Sequence, residues 1–274
     1  MREVPRDLTD ANFLPDAVRY LAEAHAPALT WLAAYTVLKL ACRLRWRRKA
    51  KETHLAYGTR VWDPVCLIHN MLSIGVGAWA LWTWQLPLAD TCGAAPLSNP
   101  AALVILLQGV HSMSDFLIFL PQMLAEPVFI FHHAILIVVS LVLPHCPGCF
   151  YTVFAFAIAE FGSASIAVDA EWRKTGGQSR GLKRVVVFGA SRVVNLVLLH
   201  QIWLVTPTVH IISLTDSTDG STLLKLNLPL CMITSIGGSA MMLAVNGLTW
   251  WRMWKAYLKQ KAKRKAAAAT RKAA

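Results

Sequence analysis

The chain has 274 residues, 55% hydrophobic and 15% charged, with a formal net charge of +12 at pH 7. Soluble domains carry closer to a quarter charged residues, so this apolar excess needs lipid around it rather than water. The Lys and Arg residues are bunched between apolar blocks, a pattern that fits a membrane surface and argues against a nucleic-acid partner.

Residues 1–25 read as a non-cytoplasmic segment. Leu14, Ala17, Val18 and Leu21 recur at helical spacing and Pro15 suits a first turn, so a short amphipathic helix lying on the membrane is expected here. Asp7, Asp10 and Asp16 precede the first long apolar run and no small-residue cleavage site follows it, so targeting falls to the first span. Seven apolar windows meet the roughly 17–25 residues a span requires: about 26–42, 64–86, 100–120, 127–144, 148–168, 185–207 and 227–250. The fold class is therefore all-α, a polytopic transmembrane helical bundle of about seven spans. The first window, with its basic loop, occupies 26–56, and its Lys39 is expected to snorkel to the surface near the helix end. The other six spans make one domain over 57–254, followed by a basic cytoplasmic tail at 255–274.

Lys and Arg set the orientation. Arg43–Arg60, Arg173–Arg184 and the tail hold most of the basic residues and share one side of a seven-span arrangement, whereas the loops after spans two and four have none. The N-terminus is accordingly expected outside and the C-terminus in the cytoplasm. Cys92, Cys146 and Cys149 then fall on the non-cytoplasmic side, where a disulfide can persist. Cys146-Pro147-Gly148-Cys149 has redox-motif spacing, but between two spans it reads as a tight turn, with Cys92 a candidate partner. Arg271-Lys272-Ala273-Ala274 resembles a dilysine-type retrieval signal with one Lys replaced by Arg, which points to the endoplasmic reticulum or a related endomembrane.

Ionisable side chains inside spans are costly and usually face a cavity or a partner. At 1.5 Å per residue, Asp115, His132, His133 and His69 all lie about 8 Å inside the cytoplasmic end of their spans. Arg192, His111 and Glu160 lie roughly 10–14 Å deep, and Asn246 returns to the shallow level. Helical faces agree with depth: Gln108, His111 and Asp115 form one stripe, Cys66, His69 and Ser73 another, Glu160, Ser163 and Ala167 a third, and Arg192 and Asn195 are one turn apart. The plainer alternative is that each group pairs only to hold the bundle, for example Arg192 with Asp115 or Glu160.

Three chemistries could use this layer. A di-iron hydroxylase would need HxxxH and HxxHH boxes, and the nine histidines supply one adjacent pair and no such spacing, so no metal site is expected. A proton-coupled transporter would be expected to show an internal repeat or broken helices, and neither is visible. Acyl transfer remains, with imidazole as general base or acyl acceptor and carboxylates orienting it. A cytoplasm-facing pocket with a basic rim would suit fatty acyl-CoA as co-substrate, with no resident cofactor.

His69, the Asp115 segment HSMSDFLIFL, the His132–His133 pair in FIFHHAIL, AEFGSAS around Glu160 and FGASR ending at Arg192 together resemble the TLC-domain family, over about Tyr57 to Trp254. The resemblance implies a helical bundle around a lipid-binding cavity. In the ceramide synthase branch the paired histidines are implicated in acyl transfer to a sphingoid amine, a role that would fall to His132 and His133. The long signature that follows the pair in the synthases is absent, which places the chain with the other TLC-domain proteins, linked to membrane lipid composition and not always enzymes. The resulting expectation is acyl-CoA-dependent acyl transfer to a membrane lipid. His132, His133, Asp115 and Glu160 would be catalytic, and His69, His111, Arg192, Asn195, Ser163 and Asn246 would bind substrate. The alternative, in a different class, is a non-catalytic lipid-binding sensor or regulator of membrane composition.

Overall fold

The computed structural model describes residues 13–46, 48, 50, 52–84, 100–125, 127–146, 148–174, 181–216 and 231–273. Among these residues the regular structure is entirely helical: α1 (Phe13–Arg45), α2 (His54–Trp82), α3 (Pro100–Ala125), α4 (Pro127–Val142), α5 (Cys149–Lys174), α6 (Gly181–Asp216) and α7 (Gly238–Ala273). A 3-10 turn at Leu143–His145 closes α4, and a π-helical turn at Ile233–Gly237 leads into α7. Three helical stretches among the described residues are long and apolar enough to cross a bilayer, Arg60–Trp82, Pro100–Ala125 and Cys149–Arg173, and Pro127–Val142 is a shorter apolar helix.

The distribution of side chains fits a membrane-embedded bundle. Large apolar groups such as Leu117, Phe131, Phe161 and Val193 are more than half exposed, while Lys39, Ser112, Ser114 and Asp115 are fully buried. A contiguous apolar exterior over a polar interior is covered by lipid far more cheaply than by water. The α3 helix is the centre of the molecule, buried over most of Ala101–Asp115 and packed on α1, α2 and α4. Pro121 cannot donate to the helix ladder and crowds the preceding turn, and the kink appears at Phe119 (φ −116°, ψ 17°), just beyond Asp115. On the other flank α5 packs on α2 and α6. The Asn70 carboxamide next to Ala164 and Gly77 against Ala157 show α2 and α5 to run antiparallel.

Two sequence expectations change here. Residues 14–21 are helical with Pro15 in the first turn, but they belong to the continuous α1 and not to a separate helix. The basic tail, which could be helical on its composition, continues α7 to Ala273, with its Lys and Arg side chains exposed as far as 267. The turn reading of Cys146–Cys149 holds, with Gly148 at φ 84°, a conformation that favours glycine. Cys146, however, is bonded to Cys231. Cys149 is also disulfide-bonded, while Cys92 and the rest of 85–99 lie outside the described residues, as do Arg180 and 217–230.

Candidate functional site

Asp115 is the hub. Burial strips its carboxylate of water, and four protein groups crowd it instead, two of them by hydrogen bonds to Oδ2. Lys39 Nζ of α1 lies 2.5 Å from Oδ1. His133 Nε2 of α4 donates to Oδ2 at 2.9 Å and Trp62 Nε1 of α2 at 3.3 Å. His111 Nε2, one turn back on α3, lies 3.3 Å from the same oxygen. Lys39 also donates to His111 O (3.2 Å) and to Ser114 Oγ. The expectation that Lys39 snorkels outward is therefore wrong: the side chain is 0% exposed and turned inward to the carboxylate. Tyr35, Lys39 and Cys42 recur at helical spacing and are all buried, so the periodicity of span one held the signal.

The four histidines differ in what their ring nitrogens have left to offer. His133 Nδ1 faces Phe129 O at 2.7 Å while Nε2 faces Asp115, so both nitrogens are engaged. His69 is also used up: Nε2–H donates to Gln108 Oε1 (3.3 Å), which leaves Nδ1 to accept from the Tyr35 hydroxyl (2.8 Å). The His111 ring stacks on His69 at 3.8 Å between centroids and 7° between planes. Its Nδ1 is buried with no hydrogen-bond partner, and so is Nδ1 of the half-buried His132. His111 Nε2 sits beside Asp115 without a hydrogen bond to it and Nδ1 is unpartnered, so this ring is the least committed of the histidines around Asp115.

A second group adjoins the first. Gln108 donates to Ser73 Oγ at 3.1 Å and lies against Glu160. The Asn70 carboxamide, oriented so that both of its ends are paired, donates to Glu160 Oε2 at 2.6 Å. Arg192 reaches across from α6 to α5, donating to Ala159 O (2.6 Å) and Ser163 Oγ (2.9 Å), with its guanidinium 4.2 Å from the centroid of the Phe188 ring. Its bonds thus go to neither carboxylate.

Of the residues expected from sequence, Asp115, His111, His133 and His69 share one network, and Glu160 borders it through Gln108. Ser163 and Arg192 form the α5–α6 contact. Asn195 is buried one turn beyond Arg192 and lines a separate cleft, and Asn246 is buried on α7 outside this network. Lys39, Tyr35, Trp62 and Gln108 were not among the expected site residues. At this end of the bundle, where Arg184 pairs with Asp169 at 3.0 Å, a cleft between α6 and α7 is lined by Lys183, Tyr257, Lys261 and Arg264. The chain matches no protein-family model, no curated protein and no solved structure.

Proposed function

We propose that the chain is an endomembrane protein of lipid metabolism, a seven-span bundle of TLC type that transfers an acyl group from acyl-CoA to a membrane lipid. The observation that carries this reading is the fixed Asp115 carboxylate beside His111, whose Nδ1 is buried without a partner. A carboxylate that holds one ring nitrogen fixes the tautomer and leaves the other as a base. As the acceptor hydroxyl or amine bonds to the thioester carbon, its proton passes to Nδ1. The C–S bond breaks and the departing CoA thiolate is protonated. Lys39 and His133 hold the Asp115 carboxyl in place. His132 Nδ1 is the second nitrogen available to the acceptor. The Lys183–Lys261–Arg264 cleft offers the positive charge that the anionic head of CoA requires. Basic residues at this end would face the cytoplasm, with the Cys146–Cys231 disulfide on the oxidising side.

The test is turnover of radiolabelled acyl-CoA by the purified chain in lipid vesicles. Wild type should form an acylated lipid, and His111→Ala should lose on the order of 100-fold or more of that rate. Absence of turnover by folded wild type, or full activity in His111→Ala, would overturn the catalytic reading. The closed bonding of His133, His69 and Tyr35 favours the second reading, a non-catalytic lipid sensor. That reading takes over if lipid binds without turnover.

A further inference from the structure

At the Cys146–Cys231 end of the bundle, away from Asp115, α4, α5, α6 and the π-helical turn surround a second cleft. Its walls are apolar, with Leu136, Val139, Phe156 and Leu199 among them. Its floor is polar but carries no charge, with Thr152, Asn195, Ser235 and Ser239 contributing. Asn195 is 5% exposed and Ser235 2%, yet Asn195 Oδ1 and Ser235 Oγ have no hydrogen-bond partner. An orphaned polar atom in such surroundings is expensive, and here two of them line one space. Ser235 sits within the Ile233–Gly237 π turn, and single π turns of this kind recur at functional sites. Gly238 follows directly, and a Cβ there would stand 3.1 Å from Val139 Cγ2, so the glycine lets the turn close on α4.

We infer that this cleft binds the free hydroxyl of an uncharged membrane lipid, such as a sterol or a diacylglycerol. One hydroxyl completes both orphans, donating to Asn195 Oδ1 and accepting from the Ser235 hydroxyl, while its hydrocarbon lies along the apolar walls. About 50 Å³ of the cleft is open to a water-sized group, room enough for a hydroxyl and its nearest carbons. None of the described lining residues is a cation, so a phosphate there would lack a counter-charge from them. The inference stands whether or not the Asp115 cluster is catalytic.

The full chain in vesicles is photolabelled with diazirine-bearing sterol, diacylglycerol and phosphatidylcholine, and the labelled peptides are mapped. Each alcohol probe is compared with its acetate ester. Strong labelling of α4, α6 or 231–243 by one alcohol identifies the lipid source. Its acetate, and the alcohol with Asn195→Leu or Ser235→Ala, should label about five- to tenfold less, the worth of one hydrogen bond. If neither alcohol labels the cleft, or the acetate or phosphatidylcholine probe labels it equally well, the proposal fails. Should Asn195→Leu not fold, the milder Ser235→Ala and the acetate comparison on wild type still decide.

Discussion

Removing the ammonium of Lys39 strands Asp115 in a dry interior, and breaking a buried pair from one side costs about 3–5 kcal/mol. Lys39→Met should therefore lower the unfolding temperature in detergent by several degrees, and Lys39→Met/Asp115→Asn, which keeps an acceptor for His133 and Trp62, should recover part of the loss. Equal stability of the single variant and wild type would show that the pair does not hold the fold. The histidines separate by the same logic. His133→Ala removes a hydrogen bond from Asp115 and another from Phe129 O, so it should cost stability, about 1–3 kcal/mol. His111→Ala removes a buried ring stacked on His69, so it should also cost stability, but less than His133→Ala because its Nδ1 bonds nothing, while losing any acyl transfer. Paired melting curves and turnover assays test this division; if both variants lose stability equally, it is wrong. The stripe Gln108–His111–Asp115 was legible in sequence because helical periodicity fixes which side chains share a face. The direction of Lys39 was not, because a long flexible stem can reach outward or inward from the same Cα. Nor could spacing say which ring nitrogen finds a partner, since those partners arrive from other helices.

Helices meet through small residues and one covalent tie. A Cβ on Gly109 would come within 2.7 Å of Ser140 Cβ, so Gly109 sets the approach of α3 to α4. Gly109→Val should force these helices apart and destabilise the protein well beyond the roughly 1 kcal/mol scale of helix propensity. A variant as stable as wild type would mean that Ser140 simply yields. The Cys146–Cys231 bond closes a loop with a sequence separation of 85, so Cys231→Ser should cost about 4 kcal/mol on chain-entropy grounds. Thermal unfolding of the variant, beside wild type with and without reductant, checks this; an unchanged transition would count against the tie. The apolar windows announced most of these helices because burial in lipid imposes long unbroken hydrophobic runs. The π turn was invisible, since one extra residue in a turn leaves the composition untouched. The Cys146–Cys231 pairing was hidden too: it joins segments far apart in the chain, and the charge-based topology offers Cys92 as the candidate partner.

The whole molecule has two unlike ends. The close of α1, the start of α6 and the extension of α7 put Arg43, Lys183, Lys261 and Arg264 at one, and the disulfide lies at the other. Glycosylation acceptors inserted near 145 should be modified in microsomes, and acceptors near 178 should not; the reverse pattern would invert the proposed topology. The Lys39–Asp115 contact also constrains biogenesis. An ionised Lys or Asp at the middle of an isolated helix raises the cost of membrane insertion by about 3 kcal/mol, and Lys39, nearer the end of α1, by part of that. Lys39 leaves the ribosome well before Asp115, so on the proposed seven-span reading α1 enters the bilayer with its charge unanswered, or waits at the translocon until α3 arrives. Nascent chains truncated before residue 100 should thus insert α1 less efficiently than chains extended past 125, and Lys39→Leu should abolish that dependence on length.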